Sequence, residues 1–259
     1  MTSIELRARE NAILDALERT RDDTTFLGKL YRDGVPSPDA YLAQRVRVLF
    51  VLREPNMRGA PHAHDMRVEV SDERFRPAGE DGREDRSVRG WWNNKVGMFA
   101  DAVAAALADK PPGKAFDRFA TMLDEGTWNH EVVNRFAYIQ VKKIGGGGSS
   151  KAKEICAHAA RYASTLRRQI ELYRPHLIIG CGVGKDSPAR LLATHVLPYG
   201  EEMVTTESGA TWWRFRITAR PQAMIQLYHP ARRGSRSYLY RDVWSSVREV
   251  AKEIRVGNV

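Results

Sequence analysis

The chain has 259 residues, with 41 lysine or arginine against 32 aspartate or glutamate, a formal net charge of +9 and a pI near 9.7. Hydrophobic residues at 42% and charged residues at 28% are globular proportions, which excludes a disordered chain, and no apolar run approaches the roughly 20 residues that span a bilayer. Two cysteines, Cys156 and Cys181, leave neither a disulfide framework nor a four-cysteine metal site, and Met1-Thr2-Ser3-Ile4-Glu5 lacks a signal-peptide core.

The expectation is a soluble, cytoplasmic, monomeric protein with no membrane contact, folded as one domain over residues 1–259. The charge is uneven. Residues 142–185 hold nine basic and two acidic side chains and residues 229–259 hold seven and three, whereas residues 1–141 hold 21 and 23. Clustering of this kind is the electrostatic footprint of a nucleic-acid binder, and it equally describes solvated helix faces.

In chain order, Thr2 and Glu5 stand in capping-box spacing before a helix whose apolar face includes Ile4, Ile13, Leu14 and Leu17. Arg47 to Leu52 reads as a buried strand, ended by Pro55. From Asp65 to Gly90 there are 14 charged residues with little periodicity, so residues 61–90 read as a charged, mobile surface loop. Val96, Phe99, Val103 and Leu107 mark a helix closed by Pro111-Pro112-Gly113, and a short helix carries Phe116, Phe119 and Leu123. Phe136 to Val141 is a second strand, followed by Gly145-Gly146-Gly147-Gly148-Ser149-Ser150.

One long helix is predicted from about Lys151 to Tyr173, stopped by Pro175, and Leu177-Ile178-Ile179 is the third buried strand. Trp212 to Thr218 alternates like an exposed strand, paired through a Glu207-Ser208-Gly209-Ala210 turn. Ala223 to Tyr228 is the fourth core strand, and a helix from Tyr240 to Ile254 presents Tyr240, Val243, Trp244, Val247, Val250, Ala251 and Ile254 on one face. Apolar strands alternating with amphipathic helices predict an α/β fold, a three-layer αβα sandwich around a mostly parallel sheet of about four strands.

Ligands of open parallel sheets gather at the carboxyl ends of the strands. Here those ends carry Arg53-Glu54-Pro55-Asn56, Gln140-Val141-Lys142-Lys143, the Gly180–Lys185 turn and His229-Pro230. Each alone suits an ordinary loop; together they put a carboxylate, an amide, backbone N–H groups and an imidazole around one crevice. Two nucleotide motifs fail. A phosphate-binding loop at Gly145–Lys151 would need Gly at Ser150 and Ser or Thr at Ala152, and the Gly180-Cys181-Gly182-Val183-Gly184-Lys185 turn lacks the third glycine of the dinucleotide fingerprint. His62, His64 and Asp65 form only a weak metal-ligand pattern, and no metal or cofactor is expected.

The order of these motifs resembles the uracil-DNA glycosylase superfamily over roughly residues 45–245. Val48 to Asn56 is similar to its first motif, a strand leading into a Gly-x-[Asp/Asn/Ala]-Pro turn. Tyr138 to Lys143 resembles its middle strand, which ends in a base-reading Asn. Ala157 to Gly180 resembles the helix–Pro–strand–Gly stretch of its iron–sulfur families. His229-Pro230-Ala231-Arg232-Arg233 resembles its His-Pro-Ser loop, with Arg233 at the wedge position. Departures are clear: Leu52 replaces the first glycine, Glu54 stands for Asp, Asn or Ala, Gln140 replaces the Asn, and two cysteines cannot hold a cluster.

The resemblance implies a monofunctional DNA glycosylase acting on uracil or another damaged or modified base flipped out of single- or double-stranded DNA. Its place would be base-excision repair, nucleoid-associated in a bacterium. Glycosidic cleavage needs a carboxylate near an oxocarbenium-like sugar and donors where the departing base gathers negative charge. Glu54 and His229 are the catalytic candidates. Arg53, Pro55, Asn56, Gln140 and Trp91 would bind the base, with Trp91 and Trp92 equally suited to packing at a helix start. Lys142, Lys143, Lys151, Lys153, Arg232, Arg233 and Arg236 would grip phosphates. The alternatives are a nucleic-acid-binding protein of the same fold without catalysis, and a hydrolase of free nucleosides or nucleotides.

Overall fold

The computed structural model describes residues 1–20, 30–54, 65–71, 95–125, 131–144, 151–197, 201–207, 209–215, 222–230 and 232–256. Six strands, β1 (Val48–Leu52), β2 (Ala137–Gln140), β3 (Leu177–Cys181), β4 (Glu201–Thr205), β5 (Thr211–Phe215) and β6 (Gln222–Leu227), form one sheet in the order β2-β1-β3-β6-β5-β4. The first four in that order are parallel, and β5 and β4 are added antiparallel at one side. The expected four parallel strands are thus present, and the sheet is wider by a hairpin. Trp212 and Trp213 in β5 are both buried, so the strand expected to be exposed is covered on both faces at these two positions, and residues 216–218 of the expected strand lie outside the described residues.

The ten α-helices of the described residues are α1 (Ser3–Thr20), α2 (Pro38–Leu42), α3 (Met66–Ser71), α4 (Gly97–Leu107), α5 (Pro112–Asp124), α6 (Glu131–Asn134), α7 (Ala152–Arg161), α8 (Ala163–Tyr173), α9 (Pro188–Leu191), which continues into a π-helical turn over Leu192–Val196, and α10 (Arg236–Val256). They cover both faces of the sheet. Period-2 alternation sends Val48, Phe50, Leu52, Tyr138, Ile179, Ile225 and Leu227 to one side, against α4, α5 and α10. Leu49, Val51, Ile139, Ile178 and Met224 go to the other, against α7, α8 and α9. Gly180 sits where α9 crosses β3 closely: a Cβ there would lie 2.6 Å from the Ala189 backbone nitrogen.

Thr2 and Glu5 do form the capping box, with Thr2 N–H donating to Glu5 Oε2 at 2.8 Å and Glu5 N–H to Thr2 Oγ1 at 3.2 Å. The buried stripe of α1 is Leu6, Glu10, Ile13, Leu14 and Leu17, whereas Ile4 points into solvent. The predicted helix over 151–173 is two helices, because Tyr162 leaves helical geometry at φ −105°, ψ 23° between α7 and α8.

The charged stretch at 61–90 is also more structured than expected at its start. Asp65 and Arg67 lie at the head of α3, and Arg67 donates to Asp65 Oδ2 at 2.5 Å, Glu10 Oε2 at 2.7 Å and Asn11 Oδ1 at 2.9 Å. Glu10 further accepts from Arg7 (2.6 Å), the Tyr173 hydroxyl (2.9 Å) and Val35 N–H (2.9 Å). A buried carboxylate with this many donors ties α1, α3, α8 and the turn at Val35 together. Gly34 must be glycine beside it, since φ is +142° and a Cβ would lie 2.0 Å from Glu10 Oε1. Among the described residues no helix is long and apolar enough to cross a membrane.

Candidate functional site

The parallel registers pair Leu52 with Gln140, Val51 with Gly180, and Cys181 with Leu227. A single row therefore crosses the carboxyl edge of the sheet as Gln140, Leu52, Cys181 and Leu227. Leu52, Cys181 and Leu227 belong to the core under α4 and α10, and Gln140 shares that face because it lies two residues beyond Tyr138. His229 follows two residues after Leu227, past the end of β6 and within reach of the Arg53 charge. Three strand spacings, about 14 Å, separate the outer members of the row, whose middle members Leu52 and Cys181 are buried in the core.

Gln140 is 5% exposed, and its Oε1 is buried without a hydrogen-bond partner. Its backbone N–H is held by Asp33 Oδ2 at 2.6 Å. An orphaned amide oxygen at a strand end is an acceptor left open, at a cost of about 1–3 kcal/mol when nothing fills it. Arg53 leaves β1 toward the opposite side. Its guanidinium reaches Asp186 Oδ2 at 3.1 Å and Val183 O at 3.4 Å, and its buried Nε–H has no partner either. His229 is half-buried, and burial first, then the Arg53 charge, pushes its imidazole below the ordinary histidine value. The neutral ring is thereby favoured.

Glu54 is placed by continued pairing past the strand ends, where Val141 N–H donates to Leu52 O and Lys142 N–H to Arg53 O, each at 2.8 Å. Lys142 Nζ then donates to Glu54 Oε2 at 2.9 Å and to Glu154 Oε2 at 3.0 Å. Lys151 Nζ pairs with Glu154 Oε1 at 3.1 Å. Alternating charges thus run from the exposed Lys151 through Glu154 and Lys142 to the buried Glu54.

Two expected phosphate contacts are corrected by this geometry. Lys142 is spent on the two glutamates and is 5% exposed. Lys143 is wholly buried, with its ammonium 2.5 Å from Asp33 Oδ2 and 2.7 Å from Oδ1, while Gln169 Nε2 donates to the same carboxylate at 3.1 Å. The remaining cations, Lys151, Lys153, Arg232, Arg233 and Arg236, are exposed. Lys151 and Lys153 stand at the N-terminus of α7, where the helix dipole disfavours cations. Arg232 lies over Tyr228, its Cζ 3.4 Å from the ring centroid.

Pro55, Asn56, Trp91, Trp92, His62, His64 and the Gly145–Ser150 tract lie outside the described residues. Asp65, the third member of the weak metal pattern, is engaged by Arg67. Among the described residues no group of three His, Cys, Asp or Glu side chains is arranged to hold a metal ion. Sequence reasoning missed Asp33, Glu154 and Asp186, whose partners are distant in the chain or carried no local motif.

No protein-family model matches this chain, and no curated protein matches it.

Proposed function

We propose that this chain is a glycosylase of uracil-DNA glycosylase type, hydrolysing the bond between a flipped-out base and its sugar in nucleic acid. The observation that carries the reading is the row Gln140–Leu52–Cys181–Leu227, apolar in the middle, with the open acceptor of Gln140 at one end and His229 beyond the other. An unpaired amide oxygen suits the hydrogen-bonding edge of a base.

In this reading Gln140 fixes the ring by accepting from an N–H on the base. His229, held neutral, donates to the base as it departs with negative charge. Glu54 supplies the carboxylate that stabilises the sugar and orients the attacking water. Lys142 holds that carboxylate in one position through a charge-assisted hydrogen bond. Exposed cations flank both candidates, Lys151 and Lys153 on the Glu54 side and Arg232, Arg233 and Arg236 after His229, where phosphates would be gripped.

One observation favours a second reading, a nucleic-acid-binding protein of the same fold without catalysis: the Glu54 oxygen nearest Lys142 is already engaged. The deciding experiment incubates oligonucleotides carrying uracil, deaminated, oxidised and bulky modified bases with the protein, followed by alkaline cleavage at abasic sites. Strand scission with wild type, lost in Glu54→Gln and His229→Ala, is the expected result. Binding with no scission across the whole panel selects the second reading.

A further inference from the structure

We propose that the rim carrying Tyr228, Arg232, Arg233, Arg236 and Tyr238 binds single-stranded nucleic acid by stacking its bases, so that the preferred substrate of this site is an unpaired strand. This rests on the nucleic-acid half of the reading above and goes beyond it in naming the form of the strand.

Exposed apolar side chains are the first observation. Among the described residues five large hydrophobic side chains are exposed, Met1, Ile4, Val68, Val183 and Tyr238, and Tyr238 is the aromatic one, at 61%. Tyr238 sits in the first turn of α10, directly after the loop that leaves His229. Val183 belongs to the turn after β3, the strand beside β6, and Gly182 N–H donates to Leu227 O at 2.8 Å, so the two turns adjoin. Val183 thus lies in the turn next to the end of β6, and Tyr238 follows His229 by nine positions in the chain.

The cations on this rim are of one kind. Residues 229–241 contain Arg232, Arg233, Arg236 and Arg241 and no lysine, whereas the start of α7 carries Lys151 and Lys153. A lysine grips a phosphate as well as an arginine does, but only the planar guanidinium stacks on a base. Arg232 is already arranged for stacking. Its Cζ lies 3.4 Å from the Tyr228 ring centroid, and the residue is exposed. The first turn of α10 carries no acidic side chain, so the positive end of that helix adds to the field of the arginines.

Cations interleaved with flat, exposed π-surfaces are what an unpaired strand requires, because its bases have free faces and its backbone has free phosphates. A duplex keeps its base faces inside the stack and offers this rim only phosphates. An unpaired target also enters a pocket without the energy of unstacking and unpairing.

The test is fluorescence anisotropy with undamaged oligonucleotides of one sequence, as single-stranded DNA, single-stranded RNA and duplex DNA, at fixed salt. Either single strand is expected to bind at least about tenfold more tightly than the duplex. Tyr238→Ala and Arg232→Ala are each expected to weaken single-strand binding about five- to tenfold, and Tyr238→Ala, which keeps every cation, is expected to change duplex binding less than twofold. Arg232→Lys, which keeps the charge and loses the plane, should behave like the alanine variant. Equal affinity for strand and duplex, or full binding by Arg232→Lys, overturns the proposal. Because the strands are undamaged, failure of base excision leaves this result standing, and excision from duplex with weak single-strand binding overturns this inference alone.

Discussion

Lys142 Nζ lies 2.9 Å from Glu54 Oε2, with the Lys142 side chain 7% and the Glu54 side chain 4% exposed. Burial alone would lower the lysine pKa, but hydrogen bonds to Glu54 and Glu154 and their charges outweigh it and hold the ammonium above its ordinary value. A pKa raised on folding contributes stability that is complete below the unfolded lysine value and is lost only as pH rises through the folded one. The contribution of the Lys142 ammonium is therefore constant across the neutral range.

Removing the ammonium leaves two carboxylates without their shared counter-charge. Lys142→Met is expected to destabilise the fold by about 3 kcal/mol, read as a shift in the urea midpoint. It should leave the salt dependence of oligonucleotide binding unchanged, since Lys142 does not face solvent. Replacing Lys151 and Lys153 with alanine should do the reverse, lowering the slope of log K against log salt by about two with little change in stability. A drop in slope for Lys142→Met would return that lysine to the phosphate-gripping set.

Asp33 and Lys143 form a wholly buried ion pair in which the carboxylate also holds Gln140 N–H. Burial pulls the Lys143 ammonium below its usual pKa, and the Asp33 charge and hydrogen bonds oppose that pull without cancelling it. Asp33→Asn and Lys143→Met are each expected to cost about 3–5 kcal/mol. The double variant should cost clearly less than their sum, because each single change strands the other partner. Additive losses in a thermal or urea double-mutant cycle would refute the coupling.

His158 Nδ1 lies 3.0 Å from Val141 O, a distance at which the neutral ring donates to the carbonyl. Desolvation, then the charge of Lys143, lowers its pKa from 6.5 to about 3. The unfolded chain therefore binds a proton that the folded chain refuses, and stability falls as pH drops below 6.5. At about 1.4 kcal/mol per pH unit, the loss between pH 6.5 and 5 is about 2 kcal/mol. Urea titrations at several pH values should show this slope in wild type and a shallower one in His158→Gln.

For His229 the direction is the same, with burial the larger cause and Arg53 the smaller. If excision uses the neutral imidazole as donor, the rate should stay level as pH falls from 7.5 through 6.5 and decline only below the ordinary histidine range. Arg53→Gln should move that acidic limb upward. A limb unmoved by Arg53→Gln would remove Arg53 from the electrostatics of this site.

Much of the scaffold was legible in local pattern. Val48–Leu52 and Leu177–Cys181 are unbroken apolar runs because both faces of a parallel strand are covered, and the spacing of Tyr240, Val243 and Val247 matches the buried side of α10. The same apolar runs located the four strand ends that lie side by side. Burial of Lys142 and Lys143 was not legible, because a lysine that snorkels and one that is sealed look alike until the partner is known. For Lys143 the partner is Asp33, 110 positions away. The same holds for Arg67, whose charged neighbourhood reads as surface until Glu10 is brought against it. Tyr162 fits the apolar stripe of one continuous helix, and only tertiary packing reveals the break between α7 and α8.

The segment from Leu30 to Gly34 runs along the outer side of β2, with Tyr31 N–H donating to Lys143 O at 2.7 Å and Tyr138 N–H to Gly34 O at 2.9 Å. Those bonds occupy backbone groups that would otherwise be free to pair with a second chain, so this margin of the sheet is protected against edge-to-edge association. They also join positions more than 100 residues apart, and such closures come late in assembly. Weakening them should speed unfolding more than it slows refolding, so the strand that presents Gln140 would be the first to peel away.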